Sequence, residues 1–187
     1  GQAKTGSGKT AAFGIPILER CQNKGFPQSI ILCPTRELAV QVTEELELLQ
    51  GKKGLKIVSV YGGTDIEKQA KVLSNGCDIV VGTPGRVIDM AKKGHLKLEK
   101  ISIFCLDEAD RMLDMGFYDD IIKIAKKIPE SRQTLLFSAT MPKKIRKLAE
   151  NILKKPKSIS LAISKPASGI KQTAYLAHDE QKVQLIK

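Results

Sequence analysis

Short apolar segments rich in β-branched residues recur along this chain, and a polar cluster follows each of them. Every segment is apolar at successive positions, which is typical of a strand buried on both faces of a sheet. The stretches between them carry apolar residues at helical spacing, as in Leu38, Val42 and Leu46. This alternation predicts an α/β domain with a mostly parallel sheet covered by helices on both faces. The segments are SIILC from Ser29, KIVSVY from Lys56, CDIVV from Cys77, ISIFCL from Ile101 and QTLLF from Gln133.

The polar clusters indicate where ligands would bind such a domain. In parallel α/β sheets, ligands lie beyond the carboxyl ends of the strands, and these ends share one edge of the sheet. We therefore expect the clusters to lie close together along that edge. In chain order they are PTRELAVQ, the pair Gly62-Gly63, GTPGR, DEAD and SAT.

A glycine-rich segment, AKTGSGKT, opens the first predicted helix. Gly6 and Gly8 allow the backbone to curl so that successive N–H groups face phosphate oxygens, and the helix N-terminus adds its positive dipole end. Lys9 would then reach the β- and γ-phosphates of a nucleotide, and the Thr10 hydroxyl would hold Mg²⁺. The predicted phosphate-binding residues are Ala3, Lys4, Thr5, Gly6, Ser7, Gly8, Lys9 and Thr10.

This segment is only a partial match when it is taken alone. The strict phosphate-loop pattern has Gly where Ala3 stands, so a flexible Gly-Ser turn is the alternative interpretation. A strand is expected to precede a phosphate loop, and here it would lie upstream of Gly1.

Acidic and hydroxyl side chains follow the last two strand segments. Asp107 can coordinate Mg²⁺, directly or through water, and Glu108 can orient or deprotonate an attacking water. Asp110, Ser138 and Thr140 offer a carboxylate and two hydroxyls that can form hydrogen bonds between neighbouring strand ends, which would couple nucleotide state to shape. Taken alone, DEAD is also typical of a helix N-terminus with favourable acids, and SAT of a strand end with a helix cap.

The composition favours a polyanionic partner without identifying it. The formal charge is +11, from 31 Lys and Arg against 20 Asp and Glu, which suits nucleic acid or anionic lipid.

Four cysteines occur singly in apolar stretches, so we expect buried, reduced thiols and a cytoplasmic protein. No leader and no apolar run of membrane-spanning length is evident in the sequence.

Together these motifs resemble the DEAD-box RNA helicases. AKTGSGKT, PTRELAVQ, the glycine pair, TPGR, DEAD and SAT occur in that family's order from Ala3 to Thr140. The resemblance implies two RecA-like domains with ATP and RNA between them, of which this chain is similar to the first. It implies ATP and Mg²⁺ as cofactors, with Glu108, Asp107 and Lys9 as the catalytic residues.

Three loops are candidates for contact with a nucleic-acid backbone. Thr83 is a suitable N-cap and Pro84 suits the first helical position, which leaves free N–H groups that can bind phosphate. By the resemblance these loops line one RNA track, with sequence-independent contacts. Alternatively, Thr83 and Thr35 only cap helices. The predicted RNA-binding residues are Pro34, Thr35, Arg36, Gly62, Gly63, Thr83, Pro84, Gly85 and Arg86.

The resemblance also predicts domain boundaries. Residues 1–161 correspond to the ATP-binding domain, 162–172 to an interdomain linker rich in small and turn-forming residues, and 173–187 to the start of a second RecA-like domain. The family's adenine-reading segment and first strand would lie upstream of Gly1. The arginine that completes the ATP site would belong to the second domain.

Two other functions stay open at this point. A DNA-translocating helicase would share the phosphate loop and the acidic cluster, although PTRELA, TPGR, DEAD and SAT together favour RNA. A binding module would clamp RNA or a protein partner without turnover.

Overall fold

The computed structural model describes residues 1–3, 6–161, 173, 176 and 178. Within the part of the chain it describes, no helix has the length and apolar character needed to cross a membrane. The predicted linker at 162–172 lies outside the described residues, as do most of residues 173–187. The boundary at residue 161 therefore stays a prediction.

Each apolar segment forms a strand. The strands are β1 (Ser29–Leu32), β2 (Ile57–Val60), β3 (Ile79–Gly82), β4 (Ile103–Leu106) and β5 (Gln133–Leu136). They make one sheet in the order β2-β3-β1-β4-β5. All neighbouring strands are parallel, so the predicted parallel sheet is confirmed. The carboxyl ends of the strands consequently lie at one edge, which brings the polar clusters to the same side of the domain.

Helices cover both faces of the sheet, as the sequence predicts. They are α1 (Lys9–Arg20), α2 (Arg36–Gln50), α3 (Ile66–Ser74), α4 (Pro84–Lys92), α5 (Ala109–Asp114), α6 (Tyr118–Lys127) and α7 (Lys143–Ile152). One apolar core joins α1 and α2 to one face through Phe13, Ile17 and Val42, and the other joins α3 to α7 to the opposite face.

Strand β5 departs from the expectation of burial on both faces. Gln133 is exposed, Thr134 and Leu135 are half-buried, and only Leu136 is buried. A cavity of about 560 Å³ lies beside this strand and is also lined by residues 152–157. The expectation is wrong for the first part of β5 because, among the described residues, no strand pairs with it on the side away from β4.

The first residues of the chain extend the sheet past β5. The Gly1 amino group donates to the Leu136 carbonyl at 2.7 Å, and Gln2 forms parallel bridges with Ser138 and Ser160. The chain therefore enters the glycine-rich loop from within the sheet. The strand expected upstream of Gly1 stays a prediction.

A buried carboxylate organises the opposite edge of the sheet. Asp78 is fully buried just before β3, and its oxygens accept hydrogen bonds from the backbone N–H groups of Lys24, Gly25 and Lys56 at 2.8–2.9 Å. It thereby ties two loops to the amino end of the strand. This site is structural and lies far from the polar clusters at the carboxyl edge.

Candidate functional site

The glycine-rich loop has the backbone shape that the sequence predicts. Gly6 and Gly8 have φ of 76° and 80°, in the left-handed region that favours glycine, and Gly8 is the N-cap of α1. No acidic residue lies in the first turn of α1, so no side chain of that turn offsets the positive end of the helix dipole. This helix end can therefore attract an anionic ligand. Lys4 and Thr5 lie outside the described residues.

Lys9 spans this loop and reaches toward the acidic cluster. Its ammonium donates to the Ala3 carbonyl at 2.9 Å, and its charge acts on the Asp107 carboxyl. Thr10 follows it in the first turn of α1 and is half-buried. The glycine-rich loop and the end of β4 therefore face one another, as a phosphate site with a metal-organising acid requires.

Asp107 is a buried acid with a disfavoured charge. It is 3% exposed, and burial raises its pKa from 3.8 to about 6, with a further rise from the neighbouring Glu108 charge. Lys9 and the hydrogen bond from the Glu108 N–H oppose this rise in pKa. Such a carboxylate gains more than a solvated one from a cation placed beside it.

Glu108 adopts an unusual backbone conformation. Its φ and ψ are both 51°, in the left-handed region that a non-glycine residue rarely occupies, and it is the N-cap of α5. The next residue, Ala109, donates its N–H to the Phe137 carbonyl at the end of β5, at 3.0 Å. The turn leaves the Glu108 side chain half-exposed, beyond the buried carboxylate of Asp107.

Hydrogen bonds between the DEAD and SAT segments join Asp110 to Thr140, whereas the Ser138 hydroxyl donates within the SAT segment. Asp110 accepts from the Thr140 N–H at 2.9 Å and from the Thr140 hydroxyl at 2.8 Å, and Ser138 donates to the Thr140 carbonyl at 2.7 Å. Burial raises the pKa of Asp110, but hydrogen bonds, chiefly those from the Thr140 hydroxyl and N–H, outweigh it, so the pKa lies below its ordinary value. The acidic cluster and the SAT segment are therefore linked by hydrogen bonds.

Helix N-termini occupy two of the three loops predicted to bind a nucleic-acid backbone. Thr35 caps α2, since its hydroxyl accepts from the Leu38 N–H at 3.2 Å. Pro84 is the first residue of α4 and Thr83 takes the N-cap position, but the Thr83 hydroxyl makes no capping hydrogen bond. The first turn of α4 thus keeps N–H groups that its cap does not satisfy.

The glycine pair forms an open turn between these two helices. Gly63 has a φ of 79°, both glycines are exposed, and a Cβ added at either would meet nothing within 4 Å. The backbone of this turn is therefore accessible to a ligand. Next to it, the Arg36 guanidinium lies over the Tyr61 ring at 4.9 Å.

The structure adds residues to this surface that the motifs do not contain. Arg86 donates to the Thr64 carbonyl at 2.8 Å and to the Gln69 side chain at 3.0 Å, which connects α4 with the glycine turn. Tyr61, Thr64 and Gln69 were missed because they lie outside the recognised motifs. The available signal for Gln69 was a polar residue on the same helical face as Ile66 and Leu73.

Residues 1–148 match the DEAD/DEAH box helicase family. This chain belongs to that family. The resemblance drawn from the motifs is thereby confirmed.

Several relatives of this helicase domain carry names that describe an activity. The chain is 49% identical over 183 residues to the DEAD-box ATP-dependent RNA helicase CshA of Streptococcus pneumoniae, covering 97% of this chain and 35% of that protein. It is 45% identical to the CshA of Geobacillus kaustophilus, covering 100% of this chain and 40% of the relative. The helicase domain described here thus spans little more than a third of the length of these relatives.

Solved structures confirm the RecA-like fold of this helicase domain. A DEAD box protein from the hyperthermophile Methanococcus jannaschii superposes with a TM-score of 0.80 at 49% identity, covering 82% of this chain and 42% of that one. A hypothetical ATP-dependent RNA helicase from Sulfolobus tokodaii gives a TM-score of 0.77 at 42% identity, covering 86% of this chain and 46% of that one.

Proposed function

We propose that this domain binds ATP and the RNA backbone within an ATP-dependent RNA helicase or RNA-remodelling ATPase. The observation that carries the proposal is the shared edge of the sheet. The glycine-rich loop, the buried acid Asp107 and the loops of Arg36, Gly63 and Arg86 all follow carboxyl ends of parallel strands or enter from within the sheet. The names of the relatives support the same activity.

In the proposed ATP site, the chain supplies charge and orientation. The turn at Gly6 and Gly8 and the N-terminus of α1 hold the phosphates, and Lys9 exchanges its bond to the Ala3 carbonyl for the β- and γ-phosphates. Glu108, at the half-exposed end of the acidic cluster, orients or deprotonates the attacking water.

Magnesium fits the residues around Asp107. Among the described residues no group of three or more His, Cys, Asp or Glu side chains could hold a metal ion. Mg²⁺ does not require such a group, because it keeps several waters and takes further oxygens from phosphates. We propose that Thr10 and Asp107 hold it, and when bound it would neutralise charge on the phosphates.

The hydrogen bonds of Asp110 suggest how this site communicates with its surroundings. Thr140 is held through both its N–H and its hydroxyl, so a shift of the acidic cluster would move the SAT segment with it. We propose that Asp110, Ser138 and Thr140 couple nucleotide state to domain closure. That closure requires a second RecA-like domain, which would also supply the arginine that completes the ATP site.

The proposed RNA surface binds the backbone and does not read bases. Its groups are helix N-termini, an open glycine turn and the arginines Arg36 and Arg86, all of which suit phosphate. Affinity should therefore depend strongly on salt and weakly on sequence.

We propose that the protein is cytoplasmic, in keeping with four free and buried cysteines in the described chain.

The experiment compares this chain alone with the chain joined to its second domain. ATP hydrolysis is measured with Mg²⁺, with and without single-stranded RNA, and again with DNA of the same sequence. We expect negligible RNA-stimulated hydrolysis and no duplex unwinding by the chain alone, and both activities when the second domain is present. An arginine supplied across an interface contributes roughly 10³–10⁵ in rate to related NTPases.

The possible results distinguish the three candidate functions. Stimulation by DNA and not by RNA would favour a DNA-translocating enzyme. RNA binding without any hydrolysis in the two-domain protein would favour a binding module. Robust unwinding by the chain alone would overturn the proposed two-domain mechanism.

A further inference from the structure

One side-chain amide connects two of the three loops of the proposed RNA surface, the glycine turn and the start of α4. Gln69, on α3, is half-buried. Its oxygen accepts hydrogen bonds from the Tyr61 N–H at 3.3 Å and from the Arg86 guanidinium at 3.0 Å. Its nitrogen donates to the Tyr61 carbonyl at 3.2 Å and to the Thr64 hydroxyl at 2.7 Å.

These four contacts fill the hydrogen-bonding capacity of the amide. A glutamine side chain offers two acceptor positions on its oxygen and two N–H donors on its nitrogen, and here each has a partner. The reverse orientation of the amide would direct its N–H groups at the Tyr61 N–H and at the Arg86 guanidinium, which are both donors. The network therefore admits a single orientation of Gln69.

The amide fixes the backbone on both sides of the glycine pair. Tyr61 immediately precedes Gly62, and Thr64 immediately follows Gly63. Because Gln69 holds Tyr61 through both backbone groups and Thr64 through its hydroxyl, an otherwise permissive turn has a defined shape. The Tyr61 ring in turn lies beneath the Arg36 guanidinium.

The same amide orients Arg86 without consuming its capacity to bind phosphate. Arg86 contacts Gln69 through Nη1 and the Thr64 carbonyl through Nη2 at 2.8 Å. A guanidinium carries five N–H donors, so these two bonds leave others for a ligand. Neither partner is a carboxylate, so the positive charge of Arg86 is not neutralised by the groups that hold it.

We propose that Gln69 is a positioning residue for RNA, which holds Arg86 and the turn at Gly62-Gly63 ready to receive the phosphate backbone. This inference rests on the proposed function of the surface. Pre-ordering an arginine removes the entropy that its long side chain would otherwise lose when RNA binds. Gln69 itself need not touch the RNA, since it acts through Arg86 and Tyr61.

The test is a double-mutant cycle in the two-domain protein, with a short fluorescent oligouridylate as the probe. The variants are Gln69→Leu, Arg86→Ala and the double variant, and Val72→Ala is the control because Val72 is 51% exposed on the same helix. Dissociation constants are measured at several salt concentrations, and thermal melting verifies that each variant is folded.

We expect Gln69→Leu to weaken RNA binding roughly three- to tenfold and Arg86→Ala on the order of tenfold, with no change for Val72→Ala. The double variant should lose less affinity than the two single losses combined, because part of the effect of Gln69 passes through Arg86. In both single variants, the slope of log affinity against log salt should fall by about 0.7 for each phosphate that the protein no longer neutralises. A purely structural role of Gln69 would leave this slope unchanged in Gln69→Leu.

The outcomes separate this inference from the proposed function. Wild-type RNA affinity for Arg86→Ala would overturn the RNA surface itself. A loss for Arg86→Ala with no loss for Gln69→Leu, or losses that simply add, would overturn the role of Gln69 alone. If Gln69→Leu fails to fold, Gln69→Glu replaces it: it keeps an acceptor for Arg86 but loses both amide donors and offsets the arginine charge, so wild-type affinity in it would equally contradict the proposal.

Discussion

Replacing Asp107 with asparagine should stabilise this domain when no nucleotide or Mg²⁺ is present. The buried carboxylate is 3% exposed, and its pKa is raised from 3.8 to about 6, chiefly by burial and then by Glu108. Asparagine has the same shape and can still accept the Glu108 N–H bond that Asp107 accepts at 3.0 Å. The substitution therefore removes a disfavoured charge without creating a cavity.

The magnitude follows from the linkage between protonation and folding. A carboxyl whose pKa is raised in the folded state binds protons more tightly there than in the unfolded chain, so the free energy of unfolding falls as pH rises between the two pKa values. A rise from 3.8 to about 6 corresponds to a loss of about 3 kcal/mol above pH 6. At pH 4.5 the same relation gives only about 1 kcal/mol, and the loss vanishes well below pH 3.8.

The assay is urea unfolding of the chain in the presence of a chelator, from pH 4.5 to pH 7.5. We expect Asp107→Asn to raise the free energy of unfolding by up to about 3 kcal/mol at pH 7.5, and by much less at pH 4.5. Asp89→Asn is the matched control, because it removes the same charge at an exposed position on α4. The same Asp107→Asn protein should bind ATP with Mg²⁺ more weakly than the parent.

A stability gain for Asp107→Asn that does not depend on pH would refute this reasoning, because the gain would then come from packing and not from charge. Destabilisation at pH 7.5 would also refute it, since it would show that the attraction of Lys9 outweighs the cost of burial. Either result would remove the argument that burial makes the Asp107 carboxylate gain more than a solvated one from a cation beside it.

Three further predictions concern the proposed catalytic edge and the sheet beneath it. Lys9→Ala should reduce both ATP binding and turnover in the two-domain protein, because an oriented cation at the phosphates contributes several kcal/mol to transfer, and unchanged hydrolysis would show that the loop is only a turn. Glu108→Gln should lower turnover roughly 10²–10⁴-fold while nucleotide binding is kept, and an equal loss of affinity would indicate a binding role. Gly82→Ala should lower the free energy of unfolding by about 1–3 kcal/mol in urea, since the alanine Cβ would lie 2.4 Å from the Val60 carbonyl oxygen. Gly85→Ala, where an added Cβ meets nothing within 4 Å, is its control, and equal stability of the two variants would contradict the steric argument.

The periodicity of the sequence contained most of the architecture. A run such as CDIVV is apolar at successive positions, and only a strand covered on both faces buries all of its side chains. Parallel strands need helical crossovers, so the sheet, its two covered faces and the gathering of polar clusters at one edge follow together. The glycines at positions 6 and 8 were also predictable, because their left-handed backbone is one that other residues seldom adopt.

The sequence could not reveal contacts between residues that are distant along the chain. Asp107 owes its raised pKa to burial and to charges that include Lys9, nearly a hundred positions away, and the local pattern of DEAD contains neither effect. Gln69 looks like an ordinary helical residue until the crossovers place α3 beside the glycine turn and the start of α4. Burial and hydrogen bonding are properties of the assembled sheet, in which β1 lies between β3 and β4, so only the tertiary structure could decide them.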